Sequence, residues 1–283
     1  MVHFTCEKLS PSVTRIFAPA EEQMYLVTGA ERAALIDTGA GVGDLRAYVR
    51  TLTELPLIVL LTHNHFDHAL GAAQFETVYM SRADVDEFNA EGLATGRVAY
   101  LSEKPVFPQI EASDYIPVDD SKRFRILSDG DVFDLGGVHI EARICGGHTP
   151  GSMTFLLTEE RTLITSDAVS HFSLMQGSHA LGMCSYEKNL IALDEATKGR
   201  YDRIYCSHDA VIPPVDLLRR VIEVCEEIKA GTDDRVPFGF LDETGMIAKA
   251  TCSVVDGPFG SSEHMRADGG FGNMVYDPAR IWE

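Results

Sequence analysis

His63-Asn64-His65-Phe66-Asp67-His68 places three imidazoles and a carboxylate within six residues. It directly follows Leu57-Ile58-Val59-Leu60-Leu61, a continuous apolar run after Pro56 that suits a strand buried on both faces. Loops at strand ends are where a rigid scaffold presents reactive groups. Imidazole nitrogen and carboxylate oxygen are the usual ligands of zinc and related ions. The pattern H-x-H-x-D-H arises by chance on the order of 10⁻³ times in a chain of this composition. A solvated histidine cluster is therefore the weaker interpretation.

Upstream, residues 13–18, 24–28 and 32–37 are short apolar runs separated by Pro, Gly and Glu, which reads as β-structure. Gly39 and Gly41 mark a turn, and residues 44–52 read as a helix. Downstream, residues 69–75 suggest a short helix and 78–81 a strand. Residues 83–120 begin helical and then acquire Pro105, Pro108, Pro117 and many charges, as an insertion over one face of the core would. Residues 123–127 and 132–135 read as a β-pair joined near Gly130. Val138, Ile140, Ala142 and Ile144 alternate with His139, Glu141 and Arg143, a strand period. Residues 153–157 and 162–165 complete this group. Pro214 can open a helix on which Leu217, Leu218, Val221, Val224, Cys225 and Ile228 recur at helical spacing.

The order is β-rich then β/α, twice over, which predicts an α/β protein with two mixed sheets flanked by helices. Residues 1–230 are expected to form one domain. Residues 231–283, with Gly257, Gly260, Gly269, Gly270 and Gly272 and little periodicity, are expected to be an extension packed on it.

The 283 residues are 45% apolar, enough for one large core. The net charge of −19 repels phosphate backbones and anionic membranes, and no basic stripe offsets it, so neither nucleic acid nor membrane is an expected partner. No apolar run is long enough for a bilayer, and residues 1–15 do not resemble a secretory signal. The six cysteines (Cys6, Cys145, Cys184, Cys206, Cys225 and Cys252) form no C-x-x-C pair. They suit reduced thiols in the cytoplasm. Cys145 and Cys206 stand near candidate ligands. No G-x-S-x-G or P-loop competes for the chemistry.

Over residues 13–230 the sequence resembles the metallo-β-lactamase superfamily, nearer its glyoxalase II-like and lactonase-like hydrolases than the lactamases. The resemblance rests on the histidine cluster and on three downstream contexts. His148 stands in Gly146-Gly147-His148-Thr149-Pro150-Gly151-Ser152, Asp167 follows the apolar run 163–165, and His208 follows 204–206. The resemblance implies a four-layer αβ/βα sandwich and two metal ions. His63, His65 and His148 would hold one; Asp67, His68 and His208 would hold the other; Asp167 and a hydroxide would bridge them. Asp67 would also orient the nucleophile. Zinc is the expected metal. Iron and manganese are the alternatives, because no cysteine is among the ligands. Ser207 and Asp209 flank His208 where the family usually has glycine, and Asp209 is a candidate for orienting His208. His3, His139, His171, His179 and His264 carry no motif, and surface or core roles are expected of them.

The resemblance implies a hydrolase of a small ester, thioester or lactone. A phosphodiesterase of the same superfamily and an iron-dependent persulfide dioxygenase-like oxidoreductase are the alternatives. A non-enzymatic binding protein is disfavoured by the full ligand set. Glyoxalase II-like enzymes grip glutathione with a basic C-terminal part. Here residues 231–283 hold four basic side chains (Arg235, Lys249, Arg266, Arg280) against nine acidic ones, which does not support glutathione thioesters as the specific substrate. The expected partner is a small molecule, and the oligomeric state is unassigned.

Overall fold

The computed structural model describes residues 3–19, 22–103, 110–119, 123–177, 179–208, 212–240, 243–255 and 261–283. The chain divides into two units, Met1–Glu141 and Ala142–Glu283.

The first unit is built on a seven-stranded sheet. β1 (Thr5–Lys8), β2 (Val13–Phe17), β3 (Gln23–Thr28) and β4 (Ala33–Ile36) are antiparallel neighbours. α1 (Leu45–Leu52) follows, with Asp44 accepting from the Ala47 N–H at 2.8 Å as its N-cap and Leu45 and Val49 buried. β5 (Leu57–Leu60) returns parallel to β4. Next come α2 (Phe66–Ala69), β6 (Val78–Ser81), α3 (Arg82–Glu87) and α4 (Ala90–Glu103). β7 (Arg125–Leu127) closes the sheet, parallel to β6 as β6 is to β5. The core joins Ile16, Met24, Leu26 and Leu35 to Val59, Leu61, Val78 and Met80.

The β-pair expected around Gly130 does not form. β7 is an edge strand beside β6. β8 (Val132–Asp134) pairs instead with β9 (His139–Ile144), with Phe133 opposite Ile140. Gly136 and Gly137 sit between them at φ 89° and 83°. A two-residue turn with both central residues at positive φ matches strand twist, which makes this glycine pair the stronger hairpin signal. Residues 83–120 open as two helices. Arg97 of α4 is buried, donates to the Ala40 and Gly41 carbonyls, and lies over the Tyr115 ring.

β9 runs across the point where the first unit ends. In the second unit the strand order is β13 (Arg203–Tyr205), β11 (Thr162–Ile164), β10 (Met153–Leu157), β9. β10 and β11 are antiparallel; β11 and β13 are parallel. A second sheet has the order β12 (Ser173–Met175), β18 (Met274–Tyr276), β15 (Glu243–Ile247), β14 (Val236–Phe240). β16 (Thr251–Val255) and β17 (Ser261–Arg266) form a separate hairpin. α5 (Met183–Thr197) and α6 (Leu217–Ala230) pack together over a core that includes Leu163, Tyr186, Leu190 and Ile204. All six apolar positions expected on the α6 stripe are buried. No helix among the described residues is long and apolar enough to cross a membrane.

Candidate metal centre

In the first unit the parallel pairing of β4 and β5 brings their carboxyl ends together, with Leu35 opposite Val59 and Ile36 opposite Leu60. Such ends are where α/β sheets bind ligands. Asp37 therefore lies beside Thr62 and the histidine cluster. Asp37 is held at φ 62°, a region Asp tolerates better than most residues. Its carboxylate accepts three bonds: from the Thr62 N–H at 2.8 Å, the Thr62 hydroxyl at 2.8 Å, and His68 Nδ1 at 2.9 Å. The Thr62 hydroxyl has one proton and gives it to Asp37. It must then accept from His63 Nδ1, 3.0 Å away. Both imidazoles thus spend Nδ1–H on this network and keep a lone pair on Nε2.

His65 is the N-cap residue of α2, and its carbonyl accepts from the His68 and Ala69 N–H groups. Asn64 is tied down by its N–H to Asp84 Oδ2 at 3.0 Å and its side-chain amide to the Asp84 carbonyl. Asp84 lies in α3 and is fully buried. The ligand atoms of His63 and His65 lie within 4.8 Å of each other, as do those of His63 and His68 and those of Asp67 and His68.

The second unit repeats the device. Parallel β11 and β13 put Ile164 opposite Tyr205, so Asp167 and His208 emerge from adjacent strand ends. The Ser207 hydroxyl donates to Ser166 Oγ at 2.8 Å between the two. His148 arrives on the glycine-flanked turn, and its Nδ1 donates to the Leu174 carbonyl at 2.7 Å. A carbonyl can only accept, so His148 also keeps its Nε2 lone pair. Asp167 Oδ2 lies 3.6 Å from His148 Nε2 and 3.3 Å from His208 Nε2. Tyr186 touches both the His148 turn and the Asp167 loop. Its hydroxyl donates to the carbonyl of Ala168, beside Asp167, at 2.7 Å. A Cβ on Gly147 would come within 2.2 Å of its ring, so glycine is needed there.

These donors fit a metal. Asp67 Oδ2 lies 3.5 Å from His68 Nε2, so each cluster sets a carboxylate oxygen 3.3–3.6 Å from imidazole Nε2. That is too long for an ordinary N–H···O bond. It is close to the ~3.4 Å edge of a tetrahedron of donors about 2.05 Å from a zinc-sized ion. With His68 and His148 neutral, the facing oxygen and nitrogen atoms are both Lewis bases, an arrangement a cation between them would satisfy.

The other sequence candidates separate clearly. Burial pushes the Cys145 thiol up to about 12, so it is no thiolate at neutral pH. Cys206 is buried and its Sγ donates to the Val169 carbonyl. His139 is half-exposed beside Asp134, His171 is buried, His179 is exposed, and the His264 ring stacks on Phe172. Asp209 lies outside the described residues. Asp37, Thr62, Asp84 and Leu174 escaped the sequence, although Asp37 ends an apolar run as Asp167 and His208 do.

Residues 20–208 match the family model of the metallo-beta-lactamase superfamily. The human acyl-coenzyme A thioesterase MBLAC2 is 31% identical over 172 residues, covering 54% of this chain and 60% of that protein. The chain thus spans about 60% of the length of that relative. The atrochrysone carboxyl ACP thioesterase of Aspergillus terreus is 28% identical over 246 residues, covering 81% of this chain and 63% of that one. Among solved structures, a metallo-beta-lactamase from Pontibacter korlensis superposes with a TM-score of 0.55 at 18% identity, covering 78% of this chain and 98% of its own. That likeness shows the fold.

Proposed function

Because the chain belongs to the metallo-β-lactamase superfamily, we propose that it is a metal-dependent hydrolase of acyl thioesters with a binuclear centre. His63, His65 and His148 are assigned to one metal ion, Asp67, His68 and His208 to a second, and Asp167 to both. The observation that carries this reading is the commitment of Nδ1 at His63, His68 and His148 to fixed acceptors, which in the neutral rings leaves the lone pair on Nε2 of each. The thioester is supported by relatives named as thioesterases.

When bound, two divalent ions supply Lewis acidity, lowering the pKa of water towards neutrality and drawing charge from a carbonyl oxygen. Zinc suits the nitrogen and oxygen donors; iron and manganese also suit them, because no thiolate takes part. The chain's own contribution is positional. Asp37 and Thr62 hold two imidazoles in register, and the Leu174 carbonyl holds a third. Asp67, at the first turn of α2, orients the attacking water and takes its proton. The water oxygen bonds to the acyl carbon, the C–S bond breaks, and the proton passes to the departing sulfur.

The acyl side is the expected handle. In residues 231–283 each of the four basic side chains is already in an ion pair: Arg235 with Asp233, Lys249 with Glu227, Arg266 with Asp268, and Arg280 with Glu283. None is offered as a grip for a polyanionic thiol. All six cysteines are free thiols, which is compatible with a reducing compartment.

The test is metal analysis followed by assay of the loaded protein on thioesters, aryl esters, lactones and bis-aryl phosphodiesters. The highest kcat/KM is expected on thioesters. A phosphodiester rate above every carbonyl rate overturns this function, as does oxygen uptake on a persulfide by an iron-loaded form.

A further inference from the structure

Phe172, Phe238 and His264 form a three-ring cluster on the unit that carries His148, Asp167 and His208. The Phe172 and His264 rings stack at 4.4 Å and 18°. Phe238 meets Phe172 at 5.8 Å and His264 at 5.7 Å, edge-on to both. Phe172 stands five residues after Asp167 and opens directly into β12. Side chains alternate along a strand. Ser173 and Met175 accordingly point into the core at 1% and 3% exposure. Phe172 and Leu174 are left half-buried on the other face. The Leu174 carbonyl is the atom that fixes His148. The three-ring surface therefore begins within two residues of a metal-ligand anchor.

Two features set this cluster apart from ordinary core. All three rings are half-buried, although aromatic rings gain most when covered. His264 is held at φ 67°, a conformation that costs a non-glycine residue free energy and collects where function requires it. The chain thus tolerates a strained residue to assemble a half-buried, ring-lined surface that begins five residues after Asp167.

We propose that Phe172, Phe238 and His264 are the wall that binds the hydrophobic acyl chain of the substrate and sets chain-length preference. This rests on the thioesterase function proposed above. The experiment compares the wild-type protein with Phe172→Ala, Phe238→Ala and His264→Asn, the last because Asn tolerates positive φ. Acetyl and octanoyl thioesters of N-acetylcysteamine are the substrates, with kcat and KM separated. An octanoyl thioether, which cannot be hydrolysed, is titrated calorimetrically into the metal-free protein. KM for the octanoyl substrate should rise about tenfold more than KM for the acetyl one, the scale of losing two or so buried methylene contacts. The Kd of the thioether should rise by the same factor. Phe172→Leu and Phe238→Leu remove less apolar volume than the alanine variants and should give smaller shifts of the same sign. The wall is refuted if both KM values move together or neither moves, or if thioether binding is indifferent to all five variants. If the wild type binds the thioether in a variant-sensitive way but hydrolyses neither thioester, the wall stands and the proposed function fails.

Discussion

Asp37 Oδ2 lies 2.9 Å from His68 Nδ1, and the same carboxylate holds Thr62, which in turn holds His63. One residue that needs to touch no metal thereby fixes two of the rings proposed as ligands. Asp37→Asn is a clean probe, because Asn also accepts the positive φ that Asp37 adopts. Metal affinity should fall about 10- to 100-fold, the usual effect of losing an orienting partner. Competition against a chelator measures it, with circular dichroism to confirm the fold. Unchanged affinity would show that the two rings are positioned by something else.

Tyr186 offers the matching test in the second unit. Its hydroxyl is kept as a donor, since burial raises its pKa well above the ordinary value. In Tyr186→Phe the Ala168 carbonyl loses a buried partner, at a cost of about 1–3 kcal/mol. Denaturant unfolding should report that loss. Weaker metal retention should accompany it, because Ala168 adjoins Asp167. Loss of stability with metal affinity intact would reduce Tyr186 to a core residue.

The cysteines divide by burial. Cys6 and Cys252 are exposed, while Cys145 and Cys225 are buried with thiols pushed up, Cys145 to about 12. The thiolate is the reactive species. At pH 8 Cys6 and Cys252 should therefore modify first, and Cys145 and Cys225 only after unfolding. Mass spectrometry of peptides after timed alkylation checks the order. Early labelling of Cys145 would mean that its surroundings open readily.

The parts legible in the sequence were those with a local signature. The apolar run before His63, the alternation from Val138 to Ile144 and the α6 stripe each formed the element expected of them. α5 was missed because its buried face includes Glu187, which pairs with Lys229, so the apolar spacing is broken. The C-terminal strands were missed because Pro237, Gly239 and Gly245 interrupt their alternation. The cluster from His63 to His68 could be named from residue type and spacing, and His148, Asp167 and His208 from the family resemblance. Their supports could not, since the carbonyl of Leu174 reaches His148 across 26 positions and has no side-chain signature. Asp37 reaches His68 across 31.

Asp67 is where the proposed binuclear centre is most exposed to refutation. Its carboxylate is 18% exposed and sits at the first turn of a four-residue helix, so Asp67→Asn removes no core packing and should leave the melting temperature of the metal-free protein nearly unchanged. His63, His65 and His148 would remain as a complete set for one ion. Metal content should then fall from two ions per chain towards one, read by elemental analysis after dialysis. Turnover should fall on the order of 10³-fold or more, because a ligand and the acceptor for the attacking water are lost together. Retention of two ions with that loss of rate would make Asp67 a proton acceptor and not a ligand. Near-normal turnover would remove it from the mechanism and send the search for the base to Asp167.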